Sequence, residues 1–127
     1  MYKSILTLYN MRLAIVGTRT FTNYEFIRKK ILKKFYLSDI TEIVSGGAEG
    51  VDTLAEQFAD EYNIVLKVYK PDWKKYGKKA GAIRNKKIVQ RCDSIIAFWD
   101  GESPGTKITI DIAIETKKDL KIVKITT

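Results

Sequence analysis

The sequence predicts an α/β fold, in which a mainly parallel, five-stranded sheet lies between two layers containing about four helices. Two observations lead to this fold class. Short apolar segments rich in β-branched residues alternate with segments of helical period, and some apolar segments, such as SIIAFW, are hydrophobic on both faces. The chain has 127 residues, 45% hydrophobic and 30% charged, which is enough for one domain with a sizeable core.

Each predicted element has a local signal. A capping box of Thr22 and Glu25 predicts a helix over about residues 23–36. Asp52 is predicted as the N-cap of the second helix, and residues 82–91 as the third helix. The predicted strands are Arg12–Gly17, Thr41–Ser45, Ile64–Tyr69, Ser94–Trp99 and Leu120–Ile125.

The segment DGESPGTKITIDIAIETKKD, between the fourth and fifth strands, matches two kinds of element. Its isoleucines alternate with polar residues as in a half-buried strand, and the same segment also has apolar residues at helical spacing. Neighbouring parallel strands require a crossover connection, which is nearly always helical. We therefore expect a helix here, which completes a three-layer, Rossmann-like sandwich.

Histidine is absent, and cysteine occurs once, at Cys92. These counts exclude an intramolecular disulfide, Ser-His-Asp and Cys-His catalytic groups and most zinc sites, so we expect neither a metal nor a cofactor. Cys92 is expected to be a small core residue. The chain has no apolar run long enough for a membrane span and no signal-peptide pattern, which predicts a cytoplasmic protein without a membrane partner.

The net charge of +8 at pH 7 comes largely from two lysine-rich segments. In RKKILKKF, four lysines lie opposite an apolar stripe, which is typical of a solvated helix face. The second segment, KKYGKKAGAIRNKK, interleaves Tyr76 with lysines and glycines, and we expect it to form a basic rim that attracts anions. The positive charge is also typical of proteins that bind nucleic acid.

Ligands of parallel α/β sheets bind at the carboxyl ends of the strands, and four loops leave those ends: GTRTF, SGGAEGVD, KPDWKKYGKKAG and DGESPGT. In SGGAEGVD, three glycines (Gly46, Gly47 and Gly50) allow close backbone approach at a helix N-terminus, which suits a phosphate; they are equally typical of a tight turn. Asp52 either caps this helix or contacts a ribose. Arg84, predicted at the start of the third helix, is expected to bind an anion or to face solvent.

Four segments of the chain, in this order, resemble one family: VGTRTFTNYEFI, IVSGGAEGVDTLAEQFA, PDWKKYGKKAGAIRNKKIV and SIIAFWDGESPGTKITIDIA. They are similar to the YspA/YpsA-related branch of the SLOG superfamily, which consists of small Rossmann-like domains of bacteria and their phages. Residues 11–127 are expected to form this domain, and residues 1–10 an extension that serves as an edge strand or an oligomer contact. The resemblance implies that the ligand-binding residues are Gly17, Thr18, Arg19, Gly46, Gly47, Gly50, Asp52, Trp73, Lys79, Arg84, Asn85, Gly101, Ser103, Gly105 and Thr106.

The superfamily binds nucleotides or their derivatives, and it includes the Lonely Guy phosphoribohydrolases and the DNA-processing protein DprA. The Lonely Guy enzymes place a glutamate shortly after a Gly-rich loop, whereas here no carboxylate follows Gly105 and Thr106 until Asp111. The resemblance therefore favours binding over catalysis. It implies a protein that senses or sequesters a nucleotide-derived small molecule, ADP-ribose-like or a cyclic nucleotide signal, and that forms a homo-oligomer.

Two alternatives stay open. The first is an N-glycosidase or phosphoribohydrolase-like enzyme, in which Arg84 acts with Asp100 or Glu102 on a glycosidic bond. The second is a nucleic-acid-binding protein, which the positive charge and the similarity to DprA favour. The resemblance also implies that Trp73 and Tyr76 cover a base by stacking, and burial of Trp73 as a structural lid is the equal alternative.

Overall fold

The computed structural model describes residues 10–126, so the predicted extension lies outside the described residues except for its last position. Over this range five strands alternate with four helices of 11 or 12 residues. One helical turn, Trp73–Tyr76, and two 3-10 turns, Leu37–Asp39 and Gly77–Lys79, lie in the connections. The elements are β1 Met11–Gly17, α1 Tyr24–Lys34, β2 Ile40–Ser45, α2 Val51–Glu61, β3 Val65–Val68, α3 Ala80–Arg91, β4 Ser94–Trp99, α4 Pro104–Glu115 and β5 Asp119–Lys124.

All neighbouring strands pair in parallel, and their order across the sheet is β3-β2-β1-β4-β5. The register aligns Leu13 of β1 with Ile43 of β2 and with Ser94 of β4. The chain builds the sheet outward from β1 to β3 and then returns to the other side of β1. The carboxyl ends of β1 and β4 therefore meet at a switch point, where such sheets open a crevice. The predicted Rossmann-like sheet is confirmed.

Residues of the sheet alternate between two cores, because successive side chains of a strand point to opposite faces. Leu13 and Ile15 belong to the core beneath α1 and α2, whereas Ala14 and Val16 belong to the core beneath α3 and α4. Cys92 is 1% exposed in this second core, as predicted. Burial of each large apolar side chain contributes about 1.5–3 kcal/mol, so both helical layers are held by the sheet between them.

Helix α1 has a different N-cap from the one predicted. Asn23 caps the helix, and its Oδ1 accepts Phe26 N–H at 3.1 Å, so the predicted capping box of Thr22 and Glu25 is wrong. Asn is at least as effective a cap as Thr, and here it satisfies a first-turn amide. The helix also ends two residues earlier than predicted, at Lys34, because the next residue adopts extended backbone angles.

The lysine-rich face of α1 is solvated, as predicted. Ile27 and Ile31 are fully buried, whereas Lys29 and Lys33 are exposed. The ammonium group of Lys30 lies 5.4 Å from the centre of the adjacent Phe26 ring, so part of this charge covers apolar surface.

Helices α2 and α3 begin at residues other than those predicted. Gly50 is the N-cap of α2 and Asp52 is its second residue, so the prediction of Asp52 as N-cap is wrong. Gly50 has φ 70° and ψ −126°, a conformation that only glycine adopts at little cost. The connection over residues 70–81, predicted as a loop, contains short helical turns. Helix α3 begins at Ala80, two residues before its predicted start.

The segment with two conflicting patterns forms helix α4, as the parallel topology requires. Ile110 is buried, while Ile108 and Ile114 are 39% and 62% exposed. Pro104 occupies the first turn, where its missing N–H breaks no hydrogen bond of the helix. No helix in the described part of the chain is long and apolar enough to cross a membrane.

The backbone of Gly50 predicts a marked loss of stability for Gly50→Ala. A Cβ at this position would lie 2.2 Å from the carbonyl oxygen of Arg19 and 2.5 Å from that of Thr18, so the backbone would have to move. The unfavourable φ alone costs on the order of 1–3 kcal/mol. We expect urea denaturation to show a loss at least this large.

Gly105→Ala is the matched control for this substitution. Gly105 lies in the first turn of α4 with open space around its Cβ position, so alanine should leave the free energy of unfolding unchanged or raise it. A Gly50→Ala variant as stable as the wild-type protein would show that the loop does not need this close approach.

Candidate functional site

A cleft at the carboxyl ends of the strands consists of two adjoining compartments. The first has a volume of about 440 Å³ and the second of about 400 Å³. Arg19, Ala48 and Arg84 line both and form the boundary between them. The first compartment is also lined by Val16, Gly17, Thr18, Thr20, Asp52, Asn85, Ile88, Asp100, Ser103, Pro104, Gly105, Thr106 and Thr109. The second is also lined by Gly46, Gly47, Glu49, Lys70, Pro71 and Trp73.

Thr18, which is 2% exposed, connects three of the loops around the first compartment. Its N–H donates to Phe98 O of β4 at 3.0 Å, and its carbonyl accepts Val51 N–H of α2 at 3.2 Å. Its Oγ1 accepts Asp100 N–H at 3.2 Å and lies 3.2 Å from Ser103 Oγ. The loop after β1 is therefore bound to the loops after β2 and β4.

The loop SGGAEGVD uses several of its amides within the protein. Ala48 N–H donates to Asp52 Oδ2 at 3.1 Å, and Val51 N–H donates to the carbonyl of Thr18. Gly50 lines neither compartment and allows the backbone of the first loop to approach α2. The residues of this loop that line the cleft are Gly46, Gly47, Ala48, Glu49 and Asp52.

Arg84 is the fifth residue of α3, so its predicted position at the helix start is wrong. It is 8% exposed, and three hydrogen bonds hold its guanidinium. Nη1 donates to Gly46 O and, at 3.4 Å, to Tyr69 O, while Nε donates to Asn85 Oδ1 at 2.7 Å. Nη2 has no partner among the described residues, and none of their buried side-chain polar atoms is unsatisfied. Nη2 is therefore accessible, on a side chain that lines both compartments.

Asp52 and Arg84 place opposite charges side by side at the base of the cleft. A Cβ at Gly46 would lie 2.8 Å from both Asp52 Oδ2 and Arg84 Nη1. Any larger residue at position 46 would therefore displace one of these two side chains. Burial raises the pKa of Asp52 to about 6, although Ala48 N–H and the Arg84 charge oppose the rise. Burial also lowers the pKa of Arg84, although the Asp52 charge opposes the fall, and the guanidinium stays protonated at neutral pH. The site therefore changes charge near pH 6.

The first turn of α4 adds backbone donors to the first compartment. Pro104 has no N–H, so the amides of Gly105 and Thr106 are the first donors of this helix. Asn85 Nδ2 donates to Gly105 O at 3.2 Å and ties this turn to α3. Free amides and the positive end of a helix dipole together suit an anion.

The two carboxylates predicted for catalysis differ in their positions. Asp100 lines the first compartment, but its Oδ1 accepts Ser103 N–H at 2.8 Å and Glu102 N–H at 2.9 Å. The Ser103 amide, followed by that of Glu102, lowers the pKa of Asp100, which is thereby fixed as part of its own turn. Glu102 is exposed and lines neither compartment.

Most of the predicted ligand-binding residues line the cleft. Trp73 is 55% exposed in the second compartment, so its burial as a structural lid is wrong. Three predicted residues line neither compartment: Gly50, Lys79 and Gly101. Lys79 ends the 3-10 turn that precedes α3, whereas Lys70 precedes the helical turn Trp73–Tyr76 in the chain.

Sequence analysis missed several residues of the cleft. Lys70 lines the second compartment, and its position just after β3 is the signal that would have favoured it over Lys79. Thr109 lines the first compartment one helical turn after Thr106, so the helical period predicts the pair once α4 is recognised as a helix. Ala48 carries no chemical signal in the sequence.

A family model described as the YspA, cpYpsA-related SLOG family, YAcAr, matches residues 11–76. The match spans more than half of the chain and includes β1, β2, α2 and the residues that form the second compartment, apart from Arg84. The chain belongs to this SLOG family. A relative of this SLOG protein is the Gene 61 protein of Mycobacterium phage D29, which is 30% identical over 103 residues, or 76% of this chain and 82% of that protein.

Two solved structures resemble this SLOG domain. DNA processing protein A (DprA) from Streptococcus pneumoniae matches with a TM-score of 0.73 and 20% identity over 92% of this chain and 51% of its own. The chain thus spans about half the length of that protein. DprA from Helicobacter pylori, reported for its single-stranded DNA binding mode, matches with a TM-score of 0.64 and 21% identity over 93% of this chain and 67% of its own. At these identities the likeness shows the fold.

The hydroxyl of Thr18 predicts a difference between two substitutions in this SLOG domain. Thr18→Val keeps the shape but leaves Asp100 N–H without its acceptor, and we expect it to reduce the free energy of unfolding by about 1–3 kcal/mol. Thr18→Ser keeps the hydroxyl and should lose less in urea denaturation. Equal losses would show that the methyl group, not the hydroxyl, holds the loops together.

The raised pKa of Asp52 predicts that stability falls as pH rises through about 6. In the unfolded chain this carboxyl titrates near about pH 4. The stabilising contribution of its proton is therefore complete below about pH 4 and is lost above about pH 6. A difference of two pKa units between the folded and unfolded states corresponds to about 3 kcal/mol of unfolding free energy. We take this as an upper value, because other carboxyl groups titrate in the same pH range.

Asp52→Asn removes this titration and keeps an oxygen that accepts Ala48 N–H. The difference in free energy of unfolding between the wild-type protein and this variant should change across the window from about pH 4 to about pH 6. A difference that stays constant across the window would contradict the raised pKa.

Proposed function

We propose that this protein binds single-stranded nucleic acid in the cleft at the carboxyl ends of its strands. The observation that carries the proposal is Arg84, a buried guanidinium held by three hydrogen bonds that lines both compartments. Its orientation is fixed before any ligand arrives, so it can bind a phosphate through Nη2 without a large loss of conformational entropy.

The charge of the cleft supports a polyanionic ligand. Arg19 lines both compartments, Lys70 lines the second, and the whole chain has a net charge of +8. Three carboxylates of the cleft oppose this charge in part: Asp100 is engaged by turn amides, Asp52 lies within the electrostatic influence of Arg84, and Glu49 lines the second compartment. Basic clefts of this kind bind nucleic acids through their phosphates, with an affinity that falls as salt rises.

The solved neighbours support the same partner. Both are DNA-processing proteins, and the Helicobacter pylori structure concerns single-stranded DNA. Compartments of about 440 and about 400 Å³ match the size of single nucleotide units better than that of a base-paired duplex, which favours an unpaired strand.

A nucleotide-derived small molecule, ADP-ribose-like or a cyclic nucleotide, is the second candidate. The amides at the start of α4 and the Arg84 guanidinium favour it, because together they surround one compartment of small-ligand size. A sensing or sequestering role and a homo-oligomer belong to this candidate. The N-glycosidase alternative has less support, since Asp100 is engaged in its turn and Glu102 lines neither compartment.

Arg19→Ala tests the proposal, with Lys33→Ala as its matched control. Both side chains are exposed and each substitution removes one positive charge, but only Arg19 lines the cleft. We expect Arg19→Ala to weaken binding of an oligothymidylate of about twelve nucleotides by roughly tenfold, the equivalent of one charged hydrogen bond. Fluorescence anisotropy between about 50 mM and about 200 mM salt should show a salt slope smaller by about 0.7.

Lys33→Ala should change neither the affinity nor the slope. Equal effects of the two substitutions would assign binding to the general basic surface and contradict the proposal. Duplex DNA that binds as tightly as the single strand would contradict it too. If the oligonucleotide does not bind and a free nucleotide raises the melting temperature, the second candidate replaces the first.

A further inference from the structure

We propose that the cleft binds two consecutive nucleotides of a strand, one in each compartment, and that the base in the second compartment stacks on Trp73. This inference rests on the proposed function and adds the unit that the cleft recognises. That unit is a dinucleotide step, with its bridging phosphate at the boundary between the compartments.

The boundary is suited to one phosphate. Of the three residues that line both compartments, Arg19 and Arg84 carry guanidinium groups. Hydrogen bonds to Gly46 and Asn85 hold Arg84 and leave its Nη2 for a ligand, while Arg19 is exposed beside it. Two guanidinium groups can hold a single phosphodiester from two sides, and the nucleosides attached to it then extend into different compartments.

The second compartment has the chemistry of a base site. Trp73 is 55% exposed there, although indole is among the most apolar side chains, and Pro71 adds a further apolar surface. The helical turn that carries this ring is capped by Asp72, whose Oδ1 accepts Lys75 N–H at 3.1 Å, and the indole lies next to Gly81 of α3, where a Cβ would be 3.6 Å from Cη2. An aromatic ring that is open to a cleft is typical of sequence-tolerant base stacking.

The first compartment has a different chemistry. It is lined by hydroxyl groups of Ser103, Thr106 and Thr109, and by the first amides of α4. Such groups bind sugar and phosphate oxygens rather than the face of a base. Each compartment, at about 440 or about 400 Å³, lies in the lower part of the range for small-ligand sites, so a second nucleotide is needed to fill both.

Oligothymidylates of one to about six nucleotides, each with a 5′ phosphate, test the dinucleotide unit on the wild-type protein. We expect the affinity to rise most steeply, by roughly tenfold or more, from one nucleotide to two. At constant salt, each further nucleotide should raise the affinity by a smaller factor, because it adds only the electrostatic attraction of one more phosphate. A uniform increment over the whole series would overturn the proposal.

Substitutions of Trp73 test the stacking contact. Trp73→Ala should weaken binding of the dinucleotide by about 5- to 150-fold, the equivalent of one base–aromatic contact, while Trp73→Phe should retain most of the affinity. Tyr76→Ala is the control, because Tyr76 belongs to the same helical turn and lines neither compartment. Indole fluorescence should be quenched by the dinucleotide in the wild-type protein but not in Trp73→Phe, which keeps Trp99.

The outcomes separate this inference from the proposed function. If oligonucleotides bind without quenching and Trp73→Ala binds them as the wild-type protein does, the two-compartment arrangement is overturned and the proposed function stands. If Tyr76→Ala loses as much affinity as Trp73→Ala, the loss reflects folding of the helical turn, and the stacking contact is overturned. If no oligonucleotide binds at all, the proposed function itself fails.

Discussion

The cleft depends on one buried residue, Thr18, at which three loops meet. Its backbone bonds to β4 and α2, and its hydroxyl bonds to the turn that precedes α4. This convergence leaves no room for side chains beside it: a Cβ at Gly17 would lie 2.3 Å from Phe98 O, and one at Gly50 would lie 2.2 Å from Arg19 O. Two glycines of the chain are thus required by the packing of loops, whatever ligand the cleft binds.

A second buried set, Arg84 and Asn85 on α3, ties the remaining parts of the site together. Arg84 bonds the ends of β2 and β3, and Asn85 bonds the first turn of α4. A buried guanidinium is costly unless its N–H groups are paired and an opposite charge lies near, and Asp52 supplies that charge. Hydrogen bonds offset this cost for the Nε and Nη1 donors of Arg84, but not for Nη2. Arg84 is therefore an oriented cationic group held by its neighbours.

The glycine-rich loop SGGAEGVD serves the packing of the fold, whatever ligand the cleft binds. The amides of Gly47, Ala48 and Val51 donate to acceptors within the protein, namely Ser45 Oγ, Asp52 Oδ2 and Thr18 O. Gly50 provides space for the first loop, and Gly46 for the side chains of Asp52 and Arg84. The charge beside Arg84 changes as Asp52 titrates near pH 6.

The order of the elements, the parallel sheet and the location of the cleft follow from local patterns in the sequence, because strand and helix periods and crossover topology constrain one another. Even the ambiguous segment of α4 is resolved by topology. Local patterns do not predict which of two neighbouring residues caps a helix, nor which residues far apart in the chain form contacts. Asn23 rather than Thr22 caps α1, since two adjacent residues of similar capping strength compete. Arg84 bonds a carbonyl 38 residues away, so its burial, its open Nη2 and the raised pKa of Asp52 arise only when the folded chain brings these groups together.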